Sequence, residues 1–161
     1  MSSLKKQTFI ILFFGLSAIG AAIKIPLGIS SIALDSAPAL LATILLGPIY
    51  GAIIGAGGHF ISAYLGGLPL GAFHLLIALE MGVIIYLTGV LCKKGTPIIG
   101  LCFFIICSTV VAPLPFYFIL TSAFYWTILF PLFVGSTLNS IIVAAIYKPL
   151  QGYLNRTGFY A

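Results

Sequence analysis

Charge is what this chain of 161 residues has least of: two acidic residues and seven Lys and Arg. With charged residues at 6 % and hydrophobic residues at 61 %, the chain lacks the polar surface to cover a soluble domain of its size and reads as an integral membrane protein. The net charge of +5 is not gathered into a basic patch with interleaved aromatics. Its cations stand at the ends of apolar runs, which excludes a nucleic-acid surface. Strict polar/apolar alternation is missing too, which excludes a membrane barrel and leaves helices. The three cysteines, Cys92, Cys102 and Cys107, have no CxxC spacing and read as reduced thiols within or beside spans. There is no P-loop, no HExxH and no GxSxG elbow. No internal repeat of the secondary-transporter kind is visible.

What is present is a series of apolar runs broken by Gly, Pro and Lys. The start, with Lys5-Lys6, an apolar run and small residues at Gly20-Ala21-Ala22, has the look of a signal peptide. We read it as a retained first span, because further spans follow directly. The pattern predicts a single transmembrane domain over 1–161, with helices at about 7–23, 36–46, 49–65, 71–91, 97–112 and 124–147. Lys24–Leu34, with its proline, glycine and paired serines, is expected to be a loop and the lid of a site. Asp35-Ser36 reads as the N-cap of a short second helix, with Pro38 in its first turn, and the tail from Lys148 as interfacial.

Charge bias sets the count. With a true reversal at Gly47-Pro48, Lys5, Lys6, Lys93, Lys94, Lys148 and Arg156 lie on one side and Lys24 on the other. A single kinked span over residues 36–65 scatters them. The positive-inside rule therefore favours an all-α bundle of six transmembrane helices with both termini cytoplasmic.

That topology brings the scarce polar residues toward the outer face. Asp35, His59, His74, Glu80 and Asn139 are costly to hold in lipid and are candidates for a site. Tyr125 and Trp126 supply an aromatic wall. The cavity they would form suits a small water-soluble ligand with a planar ring and several hydroxyl or amide groups. Each has a plainer reading beside it: Asp35 as a helix cap, His59 and Asn139 as interhelical glue, Tyr125 and Trp126 as an interfacial belt. Ser17, Ala18, Ala21 and Ala22 form small-xxx-small pairs on the first helix, for internal packing or for docking a partner. The His/Asp/Glu set also leaves open a membrane-embedded metal enzyme, and the whole chain a membrane assembly protein, although no metal or cofactor is required.

The segments ISSIALDSAPALLATILLGPIYGAIIGAGGHFISA (29–63) and GGLPLGAFHLLIALEMG (66–82), with the length and the small-residue first helix, resemble the substrate-binding S components of energy-coupling factor (ECF) vitamin transporters. The resemblance covers nearly the whole chain. It implies a non-enzymatic subunit of a prokaryotic plasma membrane that captures a vitamin or precursor from outside, under the loop between helices one and two. It implies docking through the small face of helix one to a membrane T component driven by two ABC ATPases. It also implies ligand-binding roles for Glu80 and Asn139, which match the position of a carboxylate and an asparagine in relatives. The run KIPLGISSIALDSAPALLA with GGHFISA looks like the branch assigned to α-ribazole, the benzimidazole nucleoside of cobalamin synthesis.

Overall fold

The computed structural model describes residues 3–27 and 30–157. Helix α1, Ser3–Ala22, runs into a two-stranded antiparallel hairpin, β1 Lys24–Leu27 and β2 Ser30–Ala33, with Lys24 opposite Ala33 and Leu27 opposite Ser30. The segment expected to be a loop is thus partly ordered as a hairpin. Cross-strand pairing gives its backbone groups partners.

Helix α2, Ser36–Leu45, is apolar all round and has eight of its ten residues buried. At about 1.5 Å per residue it is about 15 Å long, half a bilayer core. It is the axis of the bundle, with α1, α3, α4 and α7 packed against it. The chain reverses at Gly47, whose φ of 116° only glycine adopts without strain, and α3 follows, Pro48–Leu65. A Cβ on Gly47 would approach Lys93 Nζ, at the far end of α4. The reversal and the basic end of α4 (Phe73–Lys94) therefore share one end of the molecule.

Helix α5, Pro97–Ile106, begins at Thr96, whose side chain accepts from Ile99 N at 3.4 Å. It continues through a π-helical turn, Cys107–Val111, into α6, Leu114–Ile119. Pro113 has no N–H to offer the preceding turn, and the backbone widens just before it: Ala112 N bonds Cys107 O at 2.9 Å. The rod thus runs past the end expected at residue 112. Helix α7, Ser122–Arg156, is also longer than expected. Pro149 sits inside it, and the stretch from Lys148 to Arg156 continues the helix.

Counting α5, the π turn and α6 as one rod, the described residues form six helical rods. Among the described residues, four stretches are long and apolar enough to cross a membrane: Leu4–Ala22, Phe73–Lys94, Pro97–Ile119 and Ser122–Arg156. Close contact between rods comes from small residues, as expected where lipid removes the hydrophobic drive between helices. A Cβ on Gly51 or Gly89 would run into Thr43. Thr43 Oγ1 itself donates to Ile85 O at 3.2 Å.

Candidate functional site: a cavity under the hairpin

At the opposite end from Gly47, the start of α2, the end of α3, the start of α4, the α5–α6 rod and α7 diverge around a cavity of about 630 Å³. Its volume lies in the range of small-molecule sites. Lys24 and Ala33 line it from the hairpin, and Asp35 and Ser36 from the start of α2. Among the described residues, Lys24 and Asp35 are the lining side chains that carry formal charge, one of each sign. Lys24 Nζ lies beside Gly66 in the α3–α4 turn, so its side chain bridges hairpin and turn.

The wall is phenyl. Phe104, Phe116 and Phe124 line the cavity together with Met81 and Ile77. Phe116 is wedged edge-on between Phe73 and Phe124, with centroids at 5.8 and 6.2 Å. Such edge-to-face contacts hold a ring surface in place. The residues expected to form the wall point elsewhere. Trp126 is 66 % exposed. Tyr125 is buried, but its hydroxyl donates to Val110 O in the π turn at 3.3 Å and its ring packs against Tyr117. Neither lines the cavity. The π turn also carries Ser108 and Thr109. Ser108 lines the cavity, while Thr109 Oγ1 shares a 3.3 Å hydrogen bond with Ser136 Oγ, pinning the turn to α7.

Asn139 does line the cavity, but its amide is engaged. Its Oδ1 accepts from Ala37 N at 2.7 Å, and its Nδ2 donates to Ala33 O at 3.0 Å and to Gly135 O at 2.8 Å. One side chain of α7 thus ties down both the end of β2 and the first turn of α2. It also does the work expected of Asp35. The Asp35 side chain makes no capping bond to the helix; Ser36 Oγ donates to Asp35 Oδ1 at 3.2 Å. The orphan N–H of a helix start needs an acceptor, and Asn139 supplies it from a distance in sequence that no capping motif covers.

The histidines meet. Their ring centroids are 5.7 Å apart with 38° between planes, and both line the cavity. The α3–α4 turn makes this possible. Gly67, Leu68 and Gly71 have positive φ, and the reversed backbone aims Leu70 N at His74 Nε2, 3.3 Å away. Nε2 of His59, Nδ1 of His74 and Oγ of Ser108 are buried without hydrogen-bond partners.

Glu80 does not join them. It is partly buried on α4 with Oε2 unpartnered, but the α4 side chains on the cavity are His74, Ile77 and Met81. At about 100° per residue, Glu80 is rotated a full step from Met81. No group of three His, Cys, Asp or Glu side chains able to hold a metal occurs among the described residues. The four-residue metal reading therefore has no geometry there.

The small face of α1 also resolves. Ser17 and Ala21 are buried within the chain. Ser17 Oγ donates to Asp35 O at 3.0 Å, and a Cβ on Gly58 would meet Ser17. Gly20 O accepts from Leu34 N at 3.1 Å. These residues serve internal close approach and are not available to a partner in this conformation. Ala18 is half-buried and Ala22 exposed. Gly15, on the same outer side, has open space around it.

The residues that sequence reasoning missed are Phe104, Phe116, Phe124 and Ser108. Only Phe104 and Ser108 carried a readable signal: with Ala112 they recur every fourth residue, one face of a helix.

No curated protein matches this chain in sequence. The S component of a bacterial ECF transporter, a solved structure, has a similar fold: TM-score 0.78 over 95 % of this chain and 99 % of that one, at 21 % identity. The family model described as ECF transporter, substrate-specific component matches residues 5–151. The chain belongs to this family, as a multi-pass membrane protein that binds substrate for an ECF transporter.

Proposed function

We propose that the chain captures a small, uncharged, ring-bearing solute from outside and delivers it to an ATP-driven ECF module made of a T component and two ABC ATPases. The family is a class of transporter component, not of enzyme. The observation that carries the reading is the cavity itself: its lining combines three phenyl rings with two imidazoles and a serine that have unpartnered polar atoms. One cation and one anion on the lining do not favour a strongly charged ligand. A flat heteroaromatic ring suits the phenyl wall, and hydroxyls suit Asp35 and the serines. A benzimidazole nucleoside, α-ribazole, combines both and is the first ligand to test among vitamins and their precursors. In this reading the chain is one domain crossing a prokaryotic plasma membrane six times. Both ends and Lys93-Lys94 are cytoplasmic, and the hairpin covers the outer mouth.

The test is calorimetric titration of the purified chain in nanodiscs with α-ribazole and a panel of B-vitamins. Submicromolar binding by at least one is expected; no binding below the micromolar range by any of them overturns the capture reading for that panel. For docking, the outer face of α1 that includes Gly15, Ala18 and Ala22 is the surface small enough for a second helix to approach. Gly15→Leu should prevent co-purification with the module and leave ligand affinity unchanged. Retained assembly would move the docking surface elsewhere.

A further inference from the structure

The two unpartnered imidazole nitrogens are not equivalent. His74 Nε2 accepts a hydrogen bond from Leu70 N, and a ring nitrogen that accepts carries no proton. A neutral His74 therefore carries its proton on Nδ1, the atom that is buried without a partner. The unpartnered atom of His74 is thus a donor. Across the 5.7 Å between ring centroids is the other unpartnered ring nitrogen, Nε2 of His59. A buried donor and a buried ring nitrogen left without partners are both costly. A centroid separation of 5.7 Å is within the reach of an N–H···N bond between two imidazoles.

We propose that the imidazoles form a directed relay: Leu70 N–H to His74 Nε2, then His74 Nδ1–H to His59 Nε2. The relay leaves His59 with its own proton on Nδ1 and makes that N–H a fixed donor on the cavity lining. A backbone N–H in the outer turn thereby sets the hydrogen-bonding polarity of a side chain on another helix. The consequence for ligand choice rests on the capture reading above. The ligand sets an acceptor, a carbonyl oxygen or an unprotonated ring nitrogen, against His59, and a ligand with an N–H at that point is rejected. A site built to make such a bond discriminates strongly, because the wrong ligand leaves a buried group unpaired.

The relay can be tested without any ligand. The chain has two histidines, so nitrogen NMR of the ¹⁵N-histidine-labelled protein in nanodiscs has four ring signals to assign. Both residues should be neutral and protonated at Nδ1. His59→Phe should leave His74 in that form, because Leu70 still fixes it. His74→Phe should release His59 to the Nε2-protonated form that free imidazole prefers. A wild-type His59 protonated at Nε2 or at both nitrogens overturns the relay, as does a His59 tautomer indifferent to the loss of His74. If a phenylalanine variant does not fold, the wild-type spectrum still decides, since the relay requires Nδ1–H on both rings. A failed ligand search leaves this result standing, and a failed relay leaves the capture reading standing.

Discussion

At one end of the bundle Thr43, Gly51 and Gly89 bring α2, α3 and α4 so close that a single added methyl collides. At the other end the same three helices part around a cavity of about 630 Å³. Both ends are polar by the standards of this chain. At the closed end the hydroxyls are bonded: Thr43 to Ile85 O and Thr88 to Ile84 O at 2.8 Å. At the open end His59, His74 and Ser108 keep unpartnered atoms on the lining. Polarity inside a membrane therefore has two uses here: bonded hydroxyls hold the closed end together, and unpartnered atoms stand on the cavity wall. A bonded hydroxyl is packing glue, whereas an unbonded group on a cavity wall awaits a partner.

The sharpest way to break the contrast is to fill the closed end. In Gly51→Leu the new side chain meets Thr43 on α2, and neither backbone can withdraw because Thr43 is also gripped by Ile85 O. Overpacking of this kind costs about 3 kcal/mol. The expected outcome is loss of monodisperse protein on size exclusion and a large drop in the thermal unfolding midpoint. A stable Gly51→Leu protein would show that the junction is not the rigid base of the cavity.

Next comes Asn139→Ala. It removes the acceptor for Ala37 N and the donor to Ala33 O and frees the hairpin from α7. A buried N–H left unpaired costs about 1–3 kcal/mol. Hydrogen exchange should quicken at residues 33–37 of the ligand-free protein, with the α3–α4 turn at 66–71 unchanged. If exchange does not change but ligand affinity falls, Asn139 acts on the ligand directly and not as a clamp.

These two residues also show what was legible in the sequence. Asp35, His59, His74 and Asn139 were readable as a convergent group because charge bias oriented the helices and depth along each followed from the rise. Rotation about each axis was not readable. On helices apolar all round, no polar face tells which side is in. So Glu80 on α4 and the Tyr125-Trp126 pair on α7 were assigned to a cavity that their own neighbours line instead. The phenyl wall was hidden because thirteen Phe offer no way to choose three. The π turn was hidden because it follows from the missing N–H of Pro113 in a rod that carries on beyond it. Asn139 as a remote cap for α2 depends on a contact across 102 positions, which no local pattern encodes.

A smaller effect is expected at the wall. Phe116→Ala removes the ring held between Phe73 and Phe124 and opens one side of the cavity. Affinity for the ligand identified by calorimetry should fall about tenfold, about 1.4 kcal/mol. An unchanged affinity would place the ligand nearer the histidines than the rings.

The smallest effect is the most useful control. Trp126 is the one tryptophan of the chain, 66 % exposed, and outside the cavity lining. Its ring packs on Tyr125 at 5.2 Å, and Tyr125 in turn is bonded to the π turn that carries Ser108. Trp126→Phe keeps an aromatic ring against Tyr125 and removes nothing from the lining, so calorimetric affinity should stay within about twofold, the ordinary range for an exposed substitution of about 0.5 kcal/mol. Tryptophan fluorescence is for the same reason an indirect reporter of binding: it senses the ligand only through Tyr125 and the π turn. A tenfold loss in Trp126→Phe would mean that the N-terminal end of α7 turns inward when ligand binds, and that the cavity is the open form of a site that closes.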